Sequence, residues 1–498
     1  MFVALTDFPS HARLVDATQM AAARLLVQHG WNVCSVYLDG YFGQQSEQAR
    51  RDFAAAVQKS VSTLPDRTVV LTAGIPVKQI CPDLIVCNNS AETGAGAIPI
   101  PYWFEDQSHP IPFSARCYHA SFQGSTVSHP SLRGAVVRGF DGTSETLCRV
   151  NDDYFYLLAD EEQKLLKESY WKVLSQSQFS LCPRGDNPSS VRFYESLAAG
   201  CIPVLLADTA QLPLQGILPW NDMIVRVPEA DASVWPEYVR EWTEMRTSDE
   251  LVQVSEHNRR TWNAWFHWSQ LSRQLFVEWV DLATRAAERR VSRLTRSALS
   301  VPGDCPGKVF HLLNNLRPRH YLQVNSYADS AVVAACFGGS IQSATVVHPF
   351  DHSSTSKTKD EPCGSQSAPF LGNQPLTTIH GDFLSLDSNH LPVDIDVFFY
   401  DGGDHQPQTQ YQVIIKVFPL LAHQAVIVAD NLKSAGTLAA IRAGLRTVQA
   451  HVLYEWTLPE KFNGDTDLWW KGLCVFAIEK PAECEPTLIS IPTSAGTC

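Results

Sequence analysis

Phe179–Leu206 reads FSLCPRGDNPSSVRFYESLAAGCIPVLL, a polar, glycine-bearing loop that feeds a helix and then a buried strand. Pro183, Gly185, Asp186, Asn187 and Pro188 are turn formers, and Ser189 or Ser190 can accept hydrogen bonds from the first free N–H groups of the helix that follows. The helix is expected over Val191–Ala199, closed by Gly200. Its start presents unpaired N–H groups, and Arg184 and Arg192 add fixed positive charge beside it, so a diphosphate fits the chemistry. Glu195 stands three residues past Arg192 on nearly the same helical face. It can pair with that arginine or accept a hydrogen bond from a ribose hydroxyl. Cys201-Ile202-Pro203-Val204-Leu205-Leu206 has the nearly continuous apolar character of a parallel strand covered on both faces. Taken alone, the loop is equally an ordinary αβ corner with a structural Arg–Glu pair.

The same residues resemble the C-terminal signature of the exostosin-type (GT47-like) glycosyltransferases. Phe179, Leu181-Cys182-Pro183-Arg184-Gly185-Asp186, Ser189, Ser190, Arg192, Glu195, Leu197 and Gly200-Cys201-Ile202-Pro203-Val204 stand in the order of that signature. Weaker pieces keep the family order: Ile98-Pro99-Ile100-Pro101-Tyr102, then Arg116, Phe122-Gln123-Gly124 and Arg133, then Leu212-Pro213-Leu214 and Ile217-Leu218-Pro219-Trp220. The resemblance implies a GT-B pair of Rossmann-like lobes, with the donor nucleotide mainly on the second lobe and inversion at the sugar carbon. It implies donor contacts from Arg116, Arg133, Arg184, Ser189, Ser190, Arg192 and Glu195.

A first-lobe carboxylate or histidine would then deprotonate the acceptor. Met1 to Asp7 reads as a first strand ending at a polar loop, where cleft residues of open α/β sheets stand. Asp7 is therefore the candidate catalytic base, with His11, Asp39 and Glu105 behind it. A solvated loop carboxylate or a helix cap is the plain alternative at Asp7. Leu71-Thr72-Ala73-Gly74 occupies the place where the family has a His-Asp-containing strand end, so the first lobe departs from the pattern.

The chain has 498 residues and is 45% apolar, which calls for two or three cores. Residues 1–115 are assigned to an acceptor-side lobe and 116–298 to a donor-binding lobe with a helical extension. That extension, from about 248 to 293, sets Trp262, Trp265, Phe266, Leu271, Phe276 and Trp279 among charged residues. Residues 299–306 form a linker, 307–480 a further domain and 481–498 a loose tail.

In 307–480, apolar runs at 320–325, 343–349, 395–400, 424–430 and 472–479 alternate with helical patterns near 330–337 and 412–421, which supports a separate Rossmann-like domain. Tyr321-Leu322-Gln323-Val324-Asn325, Tyr400-Asp401-Gly402-Gly403-Asp404-His405 and Trp469-Trp470-Lys471-Gly472 resemble stretches of a class I methyltransferase. Gln323 stands for the expected first carboxylate, glycines are missing around Asn325, and His348 replaces the ribose-binding acid. On these three departures S-adenosylmethionine (SAM) is expected to be an unlikely ligand. Asp394-Ile395-Asp396 and Asp465-Thr466-Asp467 are nominal DxD patterns in this domain, and no metal is expected.

The 13 cysteines form no CxxC pair, and Cys182 and Cys201 are read as packing residues. A net charge of −13 disfavours a nucleic-acid partner. The absence of an apolar leader or spanning run reads as soluble and cytoplasmic, with no integral membrane segment. Homo-oligomerisation is left open. The expected partners are a nucleotide sugar, with UDP- or GDP-sugars as the donors considered, and a glycan or glycoconjugate acceptor. The expected function is inverting sugar transfer. The alternatives are a bifunctional glycosyltransferase and glycan O-methyltransferase, or a non-catalytic glycan-binding scaffold.

Overall fold

The computed structural model describes residues 2–6, 32–38, 68–74, 85–88, 91, 93, 97–102, 104, 106–109, 111–151, 160–293, 312–313, 315–324, 341–348, 376–401, 406–430, 435–458 and 472–481. Asp7, His11, Asp39, Glu105, the 299–306 linker, Asn325, Asp404, His405, Asp465-Thr466-Asp467 and nearly all of the tail lie outside them. The chain divides into two compact units, Met1–Glu278 and Trp279–Cys498. The division falls within the helix Leu271–Arg293. Both units are α/β, as expected. Among the described residues no helix is long and apolar enough to cross a membrane.

The first unit holds two parallel sheets. One runs in the order β1 (Phe2–Thr6), β2 (Asn32–Leu38), β3 (Thr68–Gly74), β4 (Ile85–Asn88) and β5 (Ile98–Pro99). The other contains β6 (Tyr118–Ser125), β7 (Thr146–Asn151), β8 (Ser177–Pro183), β9 (Ile202–Leu206) and β10 (Val225–Arg226), in the order β10-β9-β8-β6-β7. Every pairing in it is parallel. Strand β9 is buried along its whole length, as its unbroken apolar sequence requires.

Helices α1 (Pro130–Arg138), α2 (Asp160–Ser175), α3 (Val191–Ala199), α4 (Trp235–Glu244) and α5 (Ser248–Thr261) accompany this sheet. One face of its core joins Phe122, Phe179, Leu181, Val204 and Leu206 to Leu132 and Val136 of α1 and to Trp235 and Val239 of α4. Helix α3 has the bounds expected from sequence. It buries Phe193, Tyr194, Leu197, Ala198 and Ala199, with Phe193 against Trp220 and Tyr194 against Phe266.

Helix α3 ends at Gly200, whose φ of 69° is left-handed, the conformation that favours glycine. The buried Arg116 meets this end. Its Nη1 donates to the carbonyls of Ser177 (2.8 Å) and Gly200 (3.0 Å), its Nη2 to that of Ala199 (3.1 Å), and its Nε to that of Ile111 (3.2 Å). A fixed cation thereby saturates carbonyls that the helix end leaves open and complements the negative pole of its dipole. The guanidinium expected at the donor is spent on backbone.

The second unit carries β11 (His320–Val324), β12 (Ser343–His348), β13 (Leu376–His380), β14 (Ile395–Asp401), β15 (Leu421–Asp430), β16 (His451–Leu458) and β17 (Leu473–Glu479). Their order is β13-β12-β11-β14-β15-β17-β16. All pairings are parallel except those of β17, which runs antiparallel to β15 and β16. Helices α7 (Pro407–Val417) and α8 (Ala435–Thr447), numbered after α6 (Leu271–Arg293), cover a core of Leu322, Phe398, Ile414, Ile427, Ile441 and Phe476. Helix α7 starts and stops earlier than the expected 412–421. Pro407 stands in its first turn, where a missing N–H costs nothing, and a 3-10 turn over Phe418–Leu420 leads straight into β15.

Two substitutions test this framework through urea unfolding. Gly200→Ala sets a Cβ in the left-handed region, 3.3 Å from both Arg116 Nη2 and the Ser255 carbonyl, and is expected to cost about 1–2 kcal/mol. Arg116→Met strands several buried carbonyls and is expected to cost more, about 3 kcal/mol.

Candidate functional site

In the second sheet of the first unit, successive connections run one way from β6 to β7 and the other way from β8 to β9 and β10. The order therefore reverses between β6 and β8, and such a reversal opens a crevice outside the carboxyl ends of the strands. A cleft of about 380 Å³ lies at this point. Gln123, Gly124 and Ser125 line it from the end of β6 and Asn151 from the end of β7. Lys167 and Tyr170 of α2 form a further wall, and Ser190, Arg192 and Glu195 come from the start of α3.

Ser190 is the N-cap of α3, in extended backbone at φ −137° and ψ 132°, but its side chain makes no capping bond. The first turn of α3 is thus left without a side-chain cap where it meets the cleft, which is the requirement for an anion at a helix start. Ser189 follows the same loop but is not part of the cleft wall.

Arg192 packs against two rings. Its guanidinium carbon lies 4.5 Å from the Phe122 ring centroid and 5.6 Å from that of Tyr170. Its Nη2 donates to the Gln123 carbonyl and its Nη1 to that of Leu181 at 3.4 Å. Gly124 permits the approach, because a Cβ there would stand 2.6 Å from Nη2. Three buried side-chain atoms of the cleft residues have no hydrogen-bond partner: Arg192 Nε, Gln123 Oε1 and Ser128 Oγ. Buried polar atoms are rarely left so, and these three belong to residues that line one cavity.

Glu195 is bonded to Tyr170 rather than to Arg192, its Oε2 accepting from the phenol hydroxyl at 2.6 Å. Burial lifts its carboxyl above the ordinary glutamate range, against the opposing pull of the Tyr170 hydrogen bond and of the Arg192 and Lys167 charges. Burial likewise raises the Tyr170 phenol, with the Glu195 charge adding to it, so Tyr170 remains the donor of the pair.

The other expected arginines serve different ends. Arg133 lines the cleft, and its guanidinium ties strand ends together by donating to the carbonyls of Ser125 (2.6 Å) and Arg184 (3.0 Å). Arg184 forms an ion pair with Glu229 at 3.0 Å and stands outside the cleft wall. Arg116 lies at the far end of α3. Of the residues read from sequence, the fold therefore gathers Arg133, Ser190, Arg192 and Glu195 and sets Arg116, Arg184 and Ser189 apart. Asp7 lies outside the described residues. Ser128, Asn151, Lys167 and Tyr170 are absent from the set read from sequence. The i,i+3 spacing of Lys167 and Tyr170 on α2 is the one trace they leave there.

Burial pushes the thiols of Cys182 and Cys201 up to about 11, as suits packing residues. Among the described residues no group of three or more His, Cys, Asp or Glu could hold a metal. In the second unit, Asp396 accepts from the backbone N–H groups of Arg319 and His320, so half of one DxD pattern is used to start β11. The carboxyl edge of that sheet carries His348 and His380, in register and stacked at 5.7 Å, and Asp401 and Asp430, in register on β14 and β15.

Several known proteins are similar to parts of the chain. Solved structures that it matches include an O-methyltransferase from Bacillus cereus in complex with SAH and the O-methyltransferase TomG from Streptomyces achromogenes in complex with SAM. Each is 14% identical with a TM-score of 0.26; they cover 41% of this chain and 91% and 90% of their own. These findings correct the expectation that SAM is an unlikely ligand. The departure at Gln323 is no evidence against it in physical terms either, because that side chain is fully buried in the sheet and accepts from the Tyr321 hydroxyl.

Residues 81–241 match the Exostosin GT47 domain. The exostosin-1 homolog of Caenorhabditis elegans is 31% identical over 161 residues, 30% of this chain and 41% of that protein. The probable glucuronoxylan glucuronosyltransferase IRX7 of Arabidopsis thaliana is 39% identical over 111 residues, 22% of this chain and 24% of that one. The chain thus spans less than half the length of these relatives. The cleft residues Gln123 to Glu195 all fall within the matched segment, so the likeness to the Exostosin GT47 domain includes the cleft of the first unit.

Proposed function

We propose that the chain is a two-unit transferase. Its first unit moves a sugar with inversion from a nucleotide sugar to a hydroxyl of a glycan or glycoconjugate, and its second unit methylates a glycan hydroxyl. The observation that carries the first half is the trio of unpartnered buried atoms, Arg192 Nε, Gln123 Oε1 and Ser128 Oγ, on residues that line a cleft abutting an uncapped helix start. A ligand with a diphosphate and hydroxyls supplies acceptors and donors to such a set.

In this reading Arg192, Lys167 and the first turn of α3 stabilise the negative charge that develops on the departing diphosphate. Glu195 accepts from a ribose hydroxyl. Arg133 holds the ends of β6 and β8 at the spacing the phosphates need. Arg184, locked to Glu229, keeps the loop before α3 in place. The GT-B pairing of lobes 1–115 and 116–298 and the role of Asp7 as general base belong to the same proposal.

The second unit is proposed to be a class I methyltransferase over residues 307–480. Its strand order reverses at β11, between β12 and β14, and this sets a ligand crevice at the carboxyl edge. The edge groups His348, Asp401 and Asp430 would hold SAM. Two carboxylates suit the cationic sulfonium and amino groups of that cofactor, which supplies an electrophilic methyl group when bound.

Three measurements follow. Arg192→Lys, which keeps charge but not the planar fork, is expected to lower sugar transfer about 100-fold; unchanged turnover would remove Arg192 from the site. Affinity for a nucleoside diphosphate is expected to fall with acidification, starting at a higher pH than an ordinary glutamate would dictate, since the raised Glu195 carboxyl protonates early. Calorimetry on the wild type and Glu195→Gln isolates this effect, because the variant should lack it. Finally, SAM should bind the full chain and transfer labelled methyl to a glycan, and Asp401→Asn should weaken its binding. A chain that neither binds nor consumes the cofactor would leave only the glycosyltransferase half.

A further inference from the structure

Arg192 and Glu195 stand one helical turn apart with opposite charge, the spacing at which such side chains ordinarily pair. They do not pair here. Glu195 is turned to α2, where the Tyr170 hydroxyl holds its Oε2 at 2.6 Å, and Arg192 is turned to the β6 and β8 carbonyls. Lys167, one turn before Tyr170 on α2, lines the same cleft, and its charge also acts on Glu195.

We infer that Tyr170 is a positioning residue that keeps Glu195 off the cleft's cations, so that one cavity offers separate sites for a diphosphate and for the neighbouring hydroxyls of the same ligand. Two observations carry this. The phenol occupies one carboxylate oxygen, which fixes the rotamer and leaves the second oxygen as an acceptor for a ligand hydroxyl. The Tyr170 ring also flanks the guanidinium of Arg192 at 5.6 Å, a contact that favours the cation where it stands. Without the hydroxyl, a flexible glutamate is free to swing to Arg192 or Lys167. It would then neutralise the cations that the phosphates need and withdraw the acceptor that the hydroxyls need. The inference rests on the donor-binding reading of the cleft and goes beyond it by assigning the separation of charges to a residue on another helix.

Calorimetric titration of the full chain with inorganic pyrophosphate, UDP and 2′-deoxy-UDP tests this in four proteins: wild type, Tyr170→Phe, Glu195→Gln and the double variant. Tyr170→Phe keeps the ring that packs edge-on against Trp171, and thermal melting verifies that it folds. The expected result is an approximately 10-fold loss of pyrophosphate affinity in Tyr170→Phe, with no further loss when Glu195→Gln is already present, since a neutral amide cannot block the cations. Preference for UDP over its deoxy analogue should fall in every variant. A structural role for Tyr170 would instead weaken pyrophosphate equally in both backgrounds, and that result overturns the inference while the donor reading stands. A folded wild type that binds none of the three ligands overturns the donor reading, and this inference with it.

Discussion

The amino end of one nine-residue helix, α3, is the point on which the first unit's site depends. Two constraints at its other end put it there. Gly200 takes the left-handed turn that lets the chain pass directly into β9, and Arg116 saturates the carbonyls that this turn exposes. The apolar face of α3 packs on aromatic rings, so the helix cannot slide along its axis. Its uncapped start is therefore held against the carboxyl ends of β6 and β8, where a parallel sheet with reversed strand order leaves a crevice.

Charge in this crevice is arranged by partners from other elements. Arg192 of α3 packs against the Phe122 and Tyr170 rings beside Gly124 of β6, Glu195 is claimed by α2, and Arg184 is claimed by Glu229. Each interaction prevents a local ion pair within the loop and helix. A guanidinium that makes no ion pair in a partly buried cleft is costly without an anion. The second unit uses its acidic residues in a comparable way: Asp396 is consumed at a strand start, whereas Asp401 and Asp430 stand at the carboxyl edge.

Legibility in the sequence differed by element. Helix α3, its Gly200 stop and strand β9 were readable because each is specified by neighbouring residues: turn formers, a period of 3.6, a glycine and an unbroken apolar run. Strands β11, β12, β14, β15 and β17 were readable for the same reason. Strands β13 and β16 were not. Both are edge strands with much of their side-chain surface in solvent, so they lack the apolar run that marks the central ones.

The site divides along the same line. From the order of residues alone came the expectation of an anion at this helix start and the candidates Arg192, Glu195 and Ser190, since a loop of turn formers before a short helix carries its own chemistry, while Arg133 came from the family resemblance. Tertiary structure alone decided that Arg116 serves the opposite helix end, that Arg184 pairs with Glu229, that the Ser190 side chain makes no capping bond, and that Tyr170, Lys167 and Ser128 reach the cleft. The reason is physical. Backbone conformation follows from contacts within a few residues, whereas the destination of a long polar side chain depends on which distant carbonyl, ring or carboxylate the fold brings within hydrogen-bonding distance.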